Sequence, residues 1–176
     1  MFGFEESYGY LAGTYVRDKD AVIASMLICE MVAYYKSEGK NLIEVLSELY
    51  DKYGYYYCSQ KSFTCEGQAG MKQIADIMER LATNPPSEVE GIKVARFDNL
   101  NKSESLDIAS GKITAINLPK SNVLGFYLAD GSSLIVRPSG TEPKIKLYIS
   151  AVGATDSDAT AKRTTLETAG TRLLGF

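Results

Sequence analysis

Histidine is absent from all 176 residues. That absence removes His-based zinc sites, Ser–His–Asp triads and Cys–His dyads in one step. It leaves any acid–base chemistry to carboxylates, Lys, Tyr or a residue of another chain. Cysteine is scarce: Cys29, Cys58 and Cys65 make an odd count with no framework spacing, which predicts reduced thiols and a cytoplasmic location. Positive charge is not in excess. With 19 Lys+Arg against 22 Asp+Glu the net charge is −3, and the basic residues are scattered rather than striped, so no nucleic-acid partner is expected. Long apolar runs are also missing. The most apolar stretch, 21–35, is 15 residues long and contains Glu30, too short to span a bilayer. No signal peptide, internal repeat or low-complexity tract is visible, and no membrane association is expected.

What remains is the profile of a soluble globular chain, 45% hydrophobic and 23% charged. Residues 18–40 predict a helix, with Asp18 or Asp20 at its start and Gly39 past its end. Between Asp20 and Lys36 its only charge is Glu30, so it should be buried on most sides. A second helix over 41–54 opens on Asn41 with Glu44 three residues later, a capping-box pattern. Its apolar stripe is Leu42, Val45, Leu46, Leu49 and Tyr53, and Gly54 suits its C-terminal end. The aromatic run 55–65 predicts a strand, and a third helix follows over about 68–82, stopped by Asn84, Pro85 and Pro86. Strands are expected at 92–98, 123–129, 132–137 and 144–151, with Asp130–Gly131 as a hairpin turn. In the last of these Ile145, Leu147 and Ile149 point one way and Lys144, Lys146 and Tyr148 the other. A final helix spans roughly 157–174. Residues 55–176 therefore predict an α+β domain with an antiparallel sheet packed by helices. Residues 1–54, two helices with no sheet to lie on, predict the tail of a larger domain.

Two loops hold residues fit for chemistry. In 137-RPSGTEPKIKLYIS-150 a glycine allows successive N–H groups to converge into an anion nest. Ser139 and Thr141 add hydroxyls, Arg137 adds a planar fork, and Lys144 and Lys146 raise the local potential. Phosphate is the natural guest, although the same residues also make a plain β-turn. In 2-FGFEESYGY-10 the carboxylates Glu5 and Glu6 precede Ser7. Ionised acids accept two hydrogen bonds from a vicinal diol, which suits a sugar; an acidic surface loop is the plainer reading. The carboxylates Glu5, Glu6, Asp18 and Asp20 match no metal-loop spacing.

The two long motifs GFEESYGYLAGTYVRDKDAV and RPSGTEPKIKLYI, in this order, resemble the phosphohexomutase family, especially its bacterial phosphoglucomutase and phosphomannomutase branch. The similarity runs through GMKQIADIMERLATNPP and LPKSNVLGFYLADGSS as well. The resemblance implies a four-domain enzyme that interconverts hexose 1- and 6-phosphates through a phosphoserine and a bisphosphorylated sugar, with Mg2+. It implies that residues 1–54 are the end of an α/β domain 3 and residues 55–176 a TBP-like domain 4. Glu5, Ser7 and Lys19 match positions that hold the sugar. Arg137, Ser139, Gly140 and Thr141 match the loop that binds the phosphate not being transferred. Glu–Glu–Ser, rather than Glu–Met–Ser, resembles the glucose-preferring version. The Ser–His motif of the phosphorylated serine and the Asp–Gly–Asp magnesium loop are both absent from this sequence. The resemblance therefore implies a C-terminal part, inactive alone and binding neither Mg2+ nor glucose 1,6-bisphosphate, whose partners are a hexose phosphate and the missing domains. A phosphomannomutase or phosphopentomutase parent, or a stand-alone sugar-phosphate-binding module, are the alternatives. The helix at 21–35 is expected either to self-associate through its apolar surface or to lie in a rearranged N-terminal segment.

Overall fold

The computed structural model describes residues 2–5, 8–140 and 142–176. The chain divides into two compact units, Met1–Tyr53 and Gly54–Phe176.

In the first unit a short hairpin, β1 (Phe2–Phe4) and β2 (Tyr10–Ala12), precedes two helices, α1 (Ala21–Ser37) and α2 (Leu42–Tyr53). The hairpin is antiparallel, with Phe4 opposite Tyr10. Its strands are too short to show alternation in the sequence, which reads as a loop there. Asp20 caps α1: its carboxylate accepts from the N–H groups of Val22 (2.9 Å) and Ile23 (3.2 Å). The capping box of α2 forms as its spacing predicts. Asn41 Oδ1 accepts from the N–H groups of Ile43 and Glu44 at 2.9 and 3.0 Å, and Glu44 accepts from the Asn41 N–H at 2.9 Å.

The expectation that α1 is buried on most sides is not met. The helix has no buried residue; Val22 is 81% exposed and Met26 56%. Within its unit it packs chiefly against β2 and α2. A cleft of about 620 Å³ remains open along it, lined by Phe2, Tyr10, Ala24, Leu27, Ile28, Met31 and Leu42.

The second unit contains β3 (Tyr55–Thr64), α3 (Gly67–Thr83), β4 (Glu88–Val89), β5 (Ile92–Asn99), β6 (Glu104–Asp107), β7 (Ile113–Ala115), β8 (Leu124–Leu128), β9 (Ser133–Pro138), β10 (Lys144–Gly153) and α4 (Asp156–Leu174). The main strand order is β3-β10-β9-β8-β5-β6-β7, with β4 beside β5, and all pairs are antiparallel. β4, β6 and β7 are additions to the expected strands; they are short and carry no alternating apolar pattern.

The sheet has one covered face. Ile145, Leu147, Leu134, Val136 and Phe126 are each 0% exposed and join Ile74, Ile77 and Leu81 of α3 and Leu166 of α4 in a single core. Gly170 marks the closest approach of α4: a Cβ there would lie 2.5 Å from Leu147 Cδ2. The alternate residues of β10, Lys144, Lys146 and Tyr148, stand half-buried on the opposite face. The period of two along β10 thus separates a dry face that stabilises the unit from a polar face that meets solvent.

Candidate functional site: the turn after β9 and the loop between β1 and β2

The turn after β9 is held by its own backbone. The Ser139 N–H donates to the Lys144 carbonyl at 2.8 Å, and the Lys144 N–H to the Glu142 carbonyl at 2.7 Å. The Glu142 N–H reaches Ser139 Oγ at 3.3 Å. A brace comes from outside the turn: the N–H of buried Cys65 donates to the Pro143 carbonyl at 2.8 Å. Thr141 lies outside the described residues. Gly140 is not among the glycines with positive φ, so a left-handed backbone is not why glycine stands there. A Cβ at Gly140 would meet nothing within 4 Å; the missing side chain instead leaves the backbone open to approach.

The register of β9 on β10 places Arg137 directly opposite Lys146. Directly opposed residues share a face and lie within about 4.5–5.5 Å at Cα. Both are on the open face, Arg137 exposed and Lys146 half-buried. Lys144, two residues earlier on the same face, pairs with Glu142 at 3.0 Å. Alternation alone puts Lys146 beside Lys144; its pairing with Arg137 depends on the strand register.

In the first unit the Glu5 N–H donates to the Gly9 carbonyl at 2.8 Å, closing the loop between β1 and β2. Lys19 Nζ lies 2.8 Å from Glu5 Oε2. The Lys19 stem crosses Gly9, where a Cβ would sit 2.7 Å from its Cδ. The two described sugar-loop candidates are thus brought together, at the edge of an open cleft of about 310 Å³ that Arg17 and Asp18 also line. Ser7 lies outside the described residues. The segment carrying Lys19 is fastened at Asp20, whose N–H donates to the Tyr10 carbonyl at 2.8 Å and whose Oδ2 accepts from the Tyr15 hydroxyl at 2.5 Å. That hydroxyl, with the N–H groups of Ile23 and Val22, holds the Asp20 carboxyl below its ordinary 3.8.

These carboxylates do not suit a divalent metal. Asp20 is committed to its cap and to Tyr15, and Glu5 faces Lys19. Among the described residues no three His, Cys, Asp or Glu side chains converge. Among the described residues no helix is long and apolar enough to cross a membrane.

The chain is similar to known proteins over most of its length. Residues 1–53 match the phosphoglucomutase/phosphomannomutase alpha/beta/alpha domain III. Residues 66–169 match the C-terminal domain of the same proteins. The chain belongs to the phosphoglucomutase/phosphomannomutase family. It is 43% identical over 150 residues to a phosphoglucomutase of Staphylococcus aureus (strain bovine RF122 / ET3-1), covering 85% of this chain and 27% of that protein. A phosphoglucomutase of Staphylococcus epidermidis is 39% identical over the same shares. The chain thus spans about a quarter of the length of these relatives, 27%. The open form of the exocytosis-sensitive phosphoprotein pp63/parafusin, a phosphoglucomutase from Paramecium, shares the fold. Its TM-score is 0.65 at 17% identity, over 96% of this chain and 29% of that one.

Proposed function

We propose that this chain supplies the sugar and phosphate recognition of a phosphoglucomutase that interconverts glucose 1-phosphate and glucose 6-phosphate. In this reading Arg137, Ser139, Gly140 and Thr141 grip the phosphate that is not transferred, and Glu5, Ser7 and Lys19 hold the sugar. The observation that carries it is the opposition of Arg137 and Lys146. Like charges directly across a sheet destabilise it, so two cations facing each other beside a turn of exposed backbone are best accounted for by an anion between them. Gripping a remote phosphate adds binding energy and orients the reacting hydroxyl.

The remaining chemistry belongs to the rest of the enzyme. The phosphoserine lies outside this chain, Mg2+ would serve there, and glucose 1,6-bisphosphate would pass between the two parts. The glucose preference is supported by the Glu5–Glu6–Ser7 order and by the names of the relatives. The family model is shared with phosphomannomutases, which makes a mannose phosphate the second substrate to try. Three free cysteines, two of them exposed, fit a reducing cytoplasm. The partners are the hexose phosphate, the other domains of the enzyme, and whatever surface covers 21–35.

An amide NMR titration with inorganic phosphate and with glucose 1-phosphate tests the reading, beside Arg137→Ala. Shifts centred on Ser139 and Gly140, with millimolar affinity of roughly 4 kcal/mol, are expected in the wild type and lost in the variant. Absence of any shift up to roughly tenfold above that range would overturn the phosphate assignment.

A further inference from the structure

One charge in the phosphate turn has the wrong sign for its proposed ligand. Between residues 137 and 146 stand three cations, Arg137, Lys144 and Lys146, and one anion, Glu142. The Glu142 Oε2 lies 3.0 Å from Lys144 Nζ, and both side chains remain accessible, 57% and 35% exposed. An exposed ion pair adds little to folding. The turn itself is held by other atoms, because its bonds run through the Glu142 N–H and carbonyl rather than through the carboxylate. The carboxylate is free of structural duty there and still acts on any anion nearby.

We infer that Glu142 sets the charge of the phosphate turn and is a specificity-determining residue of that site. This rests on the phosphate reading above. By neutralising Lys144, Glu142 leaves Arg137 and Lys146, two opposed cations, to meet the ligand. Two positive charges match a phosphate monoester, which carries roughly two negative charges at neutral pH. Without the carboxylate, three cations would face the same dianion, and every other anion would be attracted more strongly too. Glu142 thus holds the affinity down, and more so for a doubly charged monoester than for singly charged carboxylates and diesters, because a site charge acts on each ligand in proportion to the ligand's own charge.

The test is the titration of this chain with inorganic phosphate and with acetate, for the wild type, Glu142→Gln and Lys144→Met. The glutamine keeps the shape and an acceptor for Lys144 but removes the charge. Glu142→Gln is expected to bind phosphate about three- to tenfold more tightly at low ionic strength, the scale of one unscreened charge near a dianion. The gain should collapse in roughly 0.3 M salt. The ratio of phosphate to acetate affinity should rise, because the dianion gains more from the added positive charge than the monoanion does. Lys144→Met, which exposes the carboxylate, should weaken binding, and the double variant should return near the wild type, as expected of a coupled pair. Wild-type binding with an unchanged or weaker Glu142→Gln would overturn the inference and leave the phosphate site standing. Failure of the wild type to bind phosphate would overturn the site itself, and the inference with it.

Discussion

Gly70 packs against Cys65, the residue that braces the turn after β9. It sits in the first turns of α3, and a Cβ there would fall inside contact distance of the Cys65 carbonyl. Cys65 in turn holds the Pro143 carbonyl through its N–H. Replacing a helical glycine by alanine gains about 1 kcal/mol of helix propensity. Overpacking against backbone, which cannot rotate away, costs about 1–3 kcal/mol. Gly70→Ala should therefore lower stability by up to about 2 kcal/mol, read as a lower urea midpoint at unchanged slope. It should also shift the amide resonances of 139–144. A midpoint equal to or above the wild type would show that the 65–70 turn yields freely. At this scale the sequence displays the residue types of the turn and of the sugar loop. It does not display that Gly9 makes room for the Lys19 stem, or that Lys146 faces Arg137. Those pairings join residues far apart in the chain or depend on the register of two strands.

Among the elements, a linked set of hydrogen bonds ties the β8–β9 hairpin to β10 and α4. Asp130 accepts from the Ser132 N–H at 2.9 Å and the Ser132 hydroxyl at 3.2 Å, and pairs with Lys162 at 2.9 Å. Lys162 also donates to the Val152 carbonyl at 2.6 Å, and the Val152 N–H donates to Ser132 Oγ at 3.0 Å. Ser132 is fully buried, so its hydroxyl must be bonded to be tolerated. Burial pushes the Asp130 carboxyl up, but the bonds from Lys162 and Ser132 outweigh it and hold it below its ordinary 3.8. A carboxyl depressed in the folded state stabilises it fully above the unfolded value and less as pH falls through the folded one. The stability difference between the wild type and Asp130→Asn should be largest above roughly pH 5 and shrink as pH falls below 3.8. Urea melts across pH check this; a difference that widens toward acid would contradict the tie. The hairpin was legible in Asp130–Gly131, and Gly131 does take a positive φ of 89°. Lys162 was not legible as its partner, because 32 residues separate the two along the chain.

For the whole molecule, the unpaired surface is that of α1. Its 17 residues include none that are buried, while Ile28 and Met31 are 49% and 42% exposed beside an open apolar cleft. Contiguous apolar surface of this kind draws a partner. The isolated chain should self-associate through it, with a sedimentation mass that rises with concentration. Ile28→Glu should keep it monomeric, because burying an unpaired carboxylate in such a contact is costly. A wild-type chain that stays monomeric, with slow amide exchange along 21–35, would show that the helix is satisfied within its own unit. Gly54–Phe176 should melt at the same temperature in both, since its core lies wholly within it.

The sequence by itself determined the elements whose signals are local: the capping box at Asn41 and Glu44, the stop at Pro85–Pro86, the hairpin at Asp130–Gly131, and the alternation along β10. It also carried the two motifs by which the family is known, since a motif is residue order and nothing more. Tertiary structure decided which residues meet. The register of β9 on β10 set Arg137 against Lys146, and a bond from Cys65, between β3 and α3, braced Pro143. The short strands β1, β2, β6 and β7 exist through their partners rather than through any pattern of their own. Whether α1 is buried was likewise not a property of its composition. An apolar helix states only that it needs a cover, and the cover has to come from surface that the helix sequence does not contain.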